Sequence, residues 1–345
     1  MKKLLLLTAA LLLCSLAHSQ GAESSGSYAE VTVVPRLDLN LSSPFNGEAS
    51  EFTLGNSSLY TLFEGAFSDC LSFTVANHWL CGDADQSWLY SGLTWSNTTN
   101  WLDMAYVEFC PGSFTFDLGK MVMYTGGFEY EDWDWDVDWD LSSQLWSNLP
   151  CYQWGASAGW TTPSEMTTLS LQMVTSPWGE RPFASNLWSY SAQWRGEYGP
   201  YSNIWSISAI QFNDMLDPAS ASFDYVFSLG NQLALGDFTL GLDYTNRSGY
   251  DGYMMEGHTL LATLAYAPSE RFDCKARYGH ERTSGWYGGP SFNIDSWFVG
   301  AAAHYYPLRD SQDLKFIASA AYNTLYGGMT ATIGVMYYLH LPFNR

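Results

Sequence analysis

Alternation of apolar and polar residues, in segments of about ten, is the feature that most constrains what this chain can fold into. Gly236 to Asn246 sets Phe238, Leu240, Leu242 and Tyr244 on one face against Asp237, Thr239, Gly241, Asp243 and Thr245 on the other. Asp313 to Tyr322 does the same, with Leu314, Phe316, Ala318, Ala320 and Tyr322 opposite Asp313, Lys315 and Ser319. Period two is the period of a strand, so each segment predicts a strand with one apolar face. A soluble sandwich alternates as well, and the connections between strands must separate the two cases.

Strands are predicted near residues 34, 61, 75, 105, 119, 156, 170, 191, 208, 225, 241, 262, 276, 299, 319 and 334. Short connections then follow even-numbered strands, as at Phe67–Asp69, Pro111–Ser113, Pro163–Glu165 and Pro268–Glu270. Longer ones follow odd-numbered strands: Leu41–Asn56, Cys81–Thr99, Thr125–Pro150, Ser176–Ser185, Arg247–Glu256 and Arg282–Phe292. Leu325–Gly328 is the exception. A sandwich has no reason to sort loop lengths by parity. A membrane barrel does, with long loops on one rim, and tight turns and both termini on the other. The expected fold is all-β, a transmembrane antiparallel up-and-down barrel of about 16 strands (14–18).

The N-terminus fits export. Lys2 and Lys3 precede an apolar run from Leu4 to Leu13, followed by Ala17-His18-Ser19. This is the order of a secretory signal peptide, and the run is shorter than the ~20 residues of a membrane helix. Residues 1–19 are expected to be cleaved, leaving the barrel on 20–345. Leu13 is too bulky to precede a lipoprotein cleavage at Cys14. The 14 basic residues less Lys2 and Lys3 leave 12 against 35 acidic ones, a net of −23, which repels nucleic acid. Sixteen Trp, 23 Tyr and 19 Phe coexist with a mean hydropathy of −0.13 and no second long apolar run. Helical membrane proteins are excluded; a barrel, in which only every other residue meets lipid, is not. Five cysteines remain (Cys70, Cys81, Cys110, Cys151, Cys274), an odd number without C-x-x-C spacing, which argues against a disulfide framework or a zinc site.

The last strand carries a further pattern. From Thr332 to Leu339 a polar residue is followed by Gly334, then by aromatic and apolar residues in alternation, including Tyr337 and Leu339. This resembles the signal by which barrel-assembly machinery recognises a final strand, although the chain runs six residues further to Arg345.

Several stretches together resemble the OmpL-like β-barrel porin family: Leu71–Trp79, Phe114–Lys120 followed by Gly126-Gly127-Phe128-Glu129, and Leu171–Pro177. The resemblance covers most of the mature chain on short, degenerate motifs. It implies a passive outer-membrane channel and supplies no catalytic residues.

Two constellations could carry function. Asp132, Asp134, Asp136, Asp138 and Asp140 alternate with Trp133, Trp135, Val137 and Trp139 inside the third long connection. Five like charges so close must be hydrated, cation-bound or facing positive charge. Folded inward, they would form an acidic pore constriction; by analogy, this loop narrows the channel in many porins. Projecting outward, they would be a solvated tip whose Trp133, Trp135 and Trp139 are free to stack on sugar rings. A calcium loop is weaker, since the Gly and terminal Glu are out of register. Arg271, Lys275 and Arg277 share one face of a strand whose other face is Phe272, Cys274, Ala276 and Tyr278, so these cations are expected on a basic lumen wall. Acidic loop opposite basic wall would set a transverse field, with Asp273 and Glu281 as alternative partners for the wall.

Enzyme signatures carry little: H-E-x-x-H does not occur, and the one G-x-S-x-G match, Gly155–Gly159, falls within the strand predicted near residue 156 and not at a strand-to-helix turn. His280, on the lipid-facing side near Ser284, is a weak candidate for a lipase-type pair and more often just a rim histidine. The expected function is diffusion of small hydrophilic solutes across an outer membrane with a preference for cations, without metal or cofactor. Lipid, the assembly machinery and small solutes or cations are the expected partners. A surface glycan-binding or adhesion barrel with a plugged lumen is the alternative, and a lipid-modifying enzyme is third.

Overall fold

A computed structural model describes residues 27–45, 48–54, 57–81, 101–179, 181–213, 221–247, 257–284 and 293–343. The predicted signal segment and its cleavage point lie outside the described residues, as do most of the connections over 82–100, 248–256 and 285–292.

The strands are β1 (Tyr28–Pro44), β2 (Glu51–Thr53), β3 (Ser58–Ser68), β4 (Leu71–Cys81), β5 (Leu102–Phe109), β6 (Phe114–Val122), β7 (Tyr152–Thr161), β8 (Thr167–Thr175) and β9 (Trp188–Tyr198). They continue with β10 (Tyr201–Asn213), β11 (Ala221–Leu235), β12 (Phe238–Arg247), β13 (Gly257–Ser269), β14 (Phe272–Ser284), β15 (Asn293–Tyr305), β16 (Leu314–Asn323), β17 (Gly328–Tyr337) and β18 (Leu339–Phe343). Successive strands pair antiparallel, and β1 returns to β17 and β18, so the sheet closes on itself.

Eighteen strands make 16 spans. Strand β2 is a stub in the first long connection, paired only with the upper end of β1. Strands β17 and β18 are one span interrupted at Tyr338: β1 meets them in a single unbroken register, Pro44↔Gly328 through Val33↔Leu339 to Ala29↔Phe343. The residues beyond Leu339 therefore extend the closing strand. All 16 predicted centres fall inside a span, and the connection lengths sort by parity as far as β15. The last two do not, with eight residues over 306–313 where a short turn is expected and four over 324–327 where a long loop is expected.

Alternation decides what each face meets. Phe238, Leu240 and Leu242 point outward while Asp243 and Thr245 point inward, and Phe316 points outward while Lys315 points inward. Leu118, Leu171 and Ile333 are 63, 67 and 71 % exposed, which in water would form an aggregating belt and in lipid needs no cover. Aromatic side chains flank the belt at both ends: Phe67, Phe109, Phe114, Trp160 and Tyr305 towards the tight turns, and Trp79, Trp101, Tyr225 and Trp297 towards the long loops. Closure leaves no unpaired sheet edge in the hydrocarbon, where each exposed backbone group costs several kcal/mol.

Candidate functional site: the loop folded into the barrel

The connection between β6 and β7 is built from two short 3-10 turns, Phe128–Tyr130 and Trp139–Leu141, and one helix, α1 (Gln144–Asn148). Ser143 caps α1, its Oγ accepting from the Trp146 N–H at 2.9 Å. Ser143 also donates through N–H and Oγ to the two oxygens of Glu129, at 2.8 and 2.6 Å, which ties the start of the loop to its end.

The whole segment lies inside the barrel, held by inward-facing wall residues. Asp243 on β12 accepts the N–H groups of Phe128 and Glu129, both at 3.1 Å. Glu281 on β14 accepts from Gln144 N–H, 2.9 Å to its nearer oxygen, and from Leu145 N–H at 3.4 Å. A carboxylate at a helix N-terminus satisfies donors that have no partner within the helix. Gly127 makes the approach sterically feasible: a Cβ there would lie 2.3 Å from Asp243 Oδ1 and 2.9 Å from Gly230 Cα on β11.

Four of the five predicted aspartates have partners on the barrel wall. Asp134 accepts from Tyr152 Oη at 2.7 Å, and Asp136 receives Lys315 Nζ at 2.6 Å and Tyr338 Oη at 2.5 Å. Asp138 pairs with Lys275 at 2.8 Å and His304 at 3.0 Å, and Asp140 accepts from Ser319 Oγ at 2.6 Å. Asp132 is the one that stays exposed. Burial pushes the Asp138 carboxyl up, but His304 and Lys275 more than offset it, so it lies below the usual carboxylate range. Asp134 has no Lys or Arg partner among the described residues, and burial, partly offset by the Tyr152 hydroxyl and by His78, raises it to about 6. Burial likewise raises Glu129, against Arg277 and Ser143.

Lys275 and Arg277 face the loop from β14; Arg277 reaches Leu141 O at 3.1 Å and Glu129 at 3.4 Å. Arg271 does not join them. It occupies the Glu270-Arg271 turn before β14, exposed at the rim, because β14 begins only at Phe272. Asp273 pairs with His304 at 2.8 Å rather than with the two cations. The expected transverse field across open water is thereby replaced by contact: loop and wall are joined by ion pairs.

Trp133 and Trp135 stack at 4.6 Å, and Trp135 is buried against Tyr60 at 5.2 Å. Trp139 meets Trp146 edge-on at 5.1 Å. These rings pack within the protein and do not form an outward platform. Gly334 faces inward under Asp38, where a Cβ would come within 1.9 Å of Oδ1, while Tyr337 and Leu339 face outward. His280 faces outward too, with one ring nitrogen 3.0 Å from His258 and the other 3.4 Å from Asp295; the Ser284 side chain lies outside the described residues.

Sequence reasoning missed several anchors. Arg36 donates to the carbonyls of Trp135 and Val137, both at 2.7 Å, and pairs with Asp38 at 2.8 Å. Arg195 grips Glu131 with two bonds of 2.6 and 2.7 Å. Asp243, Glu281, His304 and Lys315 complete the set. Each is a charged or titratable residue at an inward position of an alternating strand, which is the signal that could have found it.

Solved structures share this architecture. The OmpF of Salmonella typhi in complex with daunomycin superposes at a TM-score of 0.66 and 10% identity, over 90% of this chain and 97% of that one. The fold is a porin's. The anion-selective porin from Comamonas acidovorans gives 0.63 at 10% identity, over 91% of this chain and 100% of that one. The outer membrane channel DcaP of Acinetobacter baumannii gives 0.61 at 11%, over 92% and 99%. No protein-family model and no curated protein matches the sequence. Closed barrels with a lipid-facing belt of this kind reside in outer membranes.

Proposed function

We propose that this chain is a porin-type channel through which small hydrophilic solutes diffuse across an outer membrane, narrowed by the loop over residues 123–151. The observation that carries this reading is the loop itself. It lies at the level of the barrel wall, strapped to Arg36, Tyr152, Arg195, Asp243, Lys275, Glu281 and Lys315, so any permeating solute must pass beside it. Asp132 and the edges of its neighbours line that passage, making the acidic segment the constriction.

A preference for cations is part of the proposal, but its source differs from the five aspartates. Lys315 and Lys275 already balance Asp136 and Asp138. On the tight-turn side of the loop, Glu30 stands directly opposite Glu64, and Glu108 opposite Asp117, all facing inward. Among the described residues, none of these four pairs with a Lys or Arg. Like charges directly opposite are unfavourable unless mobile cations screen them.

Within porins, the segments Leu71–Trp79, Phe114–Lys120, Gly126–Glu129 and Leu171–Pro177 support kinship with the OmpL-like group. Gly126 and Gly127 lie where the loop meets the wall. Gly334, Tyr337 and Leu339 in the closing span serve as the assembly signal, and no catalysis is assigned. Conductance of the purified barrel in planar bilayers tests the proposal. Discrete open-channel steps are expected; a folded, inserted barrel that never conducts would refute it in favour of a plugged binding protein.

A further inference from the structure

Strand register brings together two cysteines that the sequence holds forty positions apart. Cys70 sits in the Asp69-Cys70 turn between β3 and β4, and Cys110 follows the end of β5. The last pair of the β4–β5 ladder is Leu71↔Phe109, so the next step along it sets Cys70 against Cys110. A backbone bond continues the ladder there, Cys110 N–H donating to Cys70 O at 2.8 Å.

Residues directly opposite in an antiparallel pair have Cα atoms about 4.5–5.5 Å apart, inside the roughly 4.4–6.8 Å that a disulfide spans. Each thiol contacts a hydroxyl, Cys70 Sγ that of Ser68 at 3.5 Å and Cys110 Sγ that of Thr115 at 3.7 Å. Contacts this weak leave both side chains free to rotate about Cα–Cβ into the bonding geometry. Cys70 is exposed and Cys110 half-exposed, on the rim of tight turns. The other described cysteines lack such an arrangement: opposite Cys81 stands Ser58, opposite Cys274 stand Tyr266 and Ala303, and Cys151 lies at the other end of the barrel.

We propose that Cys70 and Cys110 form a disulfide that ties the two adjacent turns together on the periplasmic rim. This rests on the outer-membrane reading, because the compartment on that side must supply an oxidant, here a protein disulfide of a thiol oxidase. The exposed Cys70 thiolate attacks one sulfur of that disulfide, giving a mixed disulfide and releasing the oxidant's other thiolate. The Cys110 thiolate then attacks Cys70 Sγ, forming the bond and releasing the oxidant as a dithiol. Two protons and two electrons leave the barrel, and the oxidant gains them. The odd number of cysteines is no obstacle, since only this pair is joined.

The test uses the full-length barrel recovered from outer membranes as its heat-modifiable, folded band, with free thiols blocked by iodoacetamide at lysis. Cyanogen bromide cuts at Met104 and Met121, which separates the fragment carrying Cys70 from the peptide carrying Cys110. Without reductant the Cys110 peptide is expected to remain attached to the Cys70 fragment, and reductant should free it with two newly reactive thiols. Cys81 shares the Cys70 fragment, so Cys81→Ser should keep the linkage and Cys70→Ser should abolish it. Both thiols blocked before reduction, or a linkage that survives Cys70→Ser, would overturn the proposal while leaving the channel reading intact. Absence of the folded band would overturn the channel reading, and the disulfide with it.

Discussion

Lys275 Nζ lies 2.8 Å from Asp138 Oδ2, joining the strand wall to the loop that crosses the barrel. His304 completes the arrangement, bridging Asp138 at 3.0 Å and Asp273 at 2.8 Å. Asp138 is buried, so its charge is tolerated only with these partners in place.

Asp138→Asn should therefore unseat the middle of the loop. Removing one partner of a buried pair costs about 3–5 kcal/mol, because the other charge is left uncompensated. The expected result is a lower temperature of heat modification and noisier open-channel current. Adding Lys275→Met to Asp138→Asn should recover part of the loss, since the orphaned cation is removed. Additive effects of the two substitutions would show that the pair is not coupled.

How much of this was readable beforehand differs between wall and loop. Every span was legible because lipid outside and polar side chains inside impose period two on each strand; Phe238 to Thr245 shows it plainly. Arg271 went astray because parity continues into a turn while the strand does not. The partners of the loop were not legible. Nothing local in Glu281 or Asp243 says that a carboxylate caps N–H groups from a segment more than a hundred residues away. Nor does anything local in the Trp/Asp segment say which ring is buried; Trp135 packs on Tyr60 because the barrel brings it there.

Selectivity should depend on the tight-turn side of the lumen more than on the loop. Glu108→Gln with Asp117→Asn removes a like-charged opposite pair, so cation preference is expected to fall without loss of folding, or with a slight gain. Reversal potentials in a potassium chloride gradient read this directly. At 1 M salt the screening length is about 3 Å, and wild type and variant should converge. A larger fall from Asp136→Asn than from the Glu108 and Asp117 pair would place the filter in the loop instead.

Gly334→Asp should impair assembly strongly. The position faces Asp38 so closely that even a Cβ overlaps its carboxylate, and a second carboxyl adds like charge inside the closing ladder. The yield of heat-modifiable barrel at the outer membrane measures this. Tyr337→Asp, outward-facing, should impair assembly by the cost of a charge on the lipid face, about 2–4 kcal/mol or less at that depth. Wild-type yields from both would make the terminal pattern incidental.

Acidification should tighten the loop before it loosens it. Burial holds Asp134 near 6, above its ordinary 3.8, so the folded state favours the protonated acid. That penalty is complete above pH 6 and is relieved as pH falls towards 4. Between pH 7 and 5 the gain is on the order of 1 kcal/mol. Asp138 has the opposite sign, its stabilisation being lost only below its ordinary 3.8, so the two windows do not overlap. The heat-modification temperature of wild type should rise from pH 7 to pH 5, and Asp134→Asn should flatten that rise. A wild-type decline over the same range would mean that other groups dominate.

Deleting Glu131–Asp140 separates a constriction from a decoration. The segment contains the ties to Arg195, Tyr152, Lys315, Lys275 and Ser319, whereas the outer ties through Asp243 and Glu281 lie outside it and should keep the loop ends seated. Two changes are expected together. Conductance should rise, because the backbone that crosses the lumen is gone. Cation preference should fall, because Arg195, Lys275 and Lys315 lose their carboxylate partners and present free positive charge to the passage, whereas Arg36 keeps Asp38. A loop that merely stabilised the barrel would lower the heat-modification temperature and leave both electrical properties alone. Unchanged single-channel conductance in a folded deletion variant would remove the constriction from this account, since no other described segment crosses the lumen.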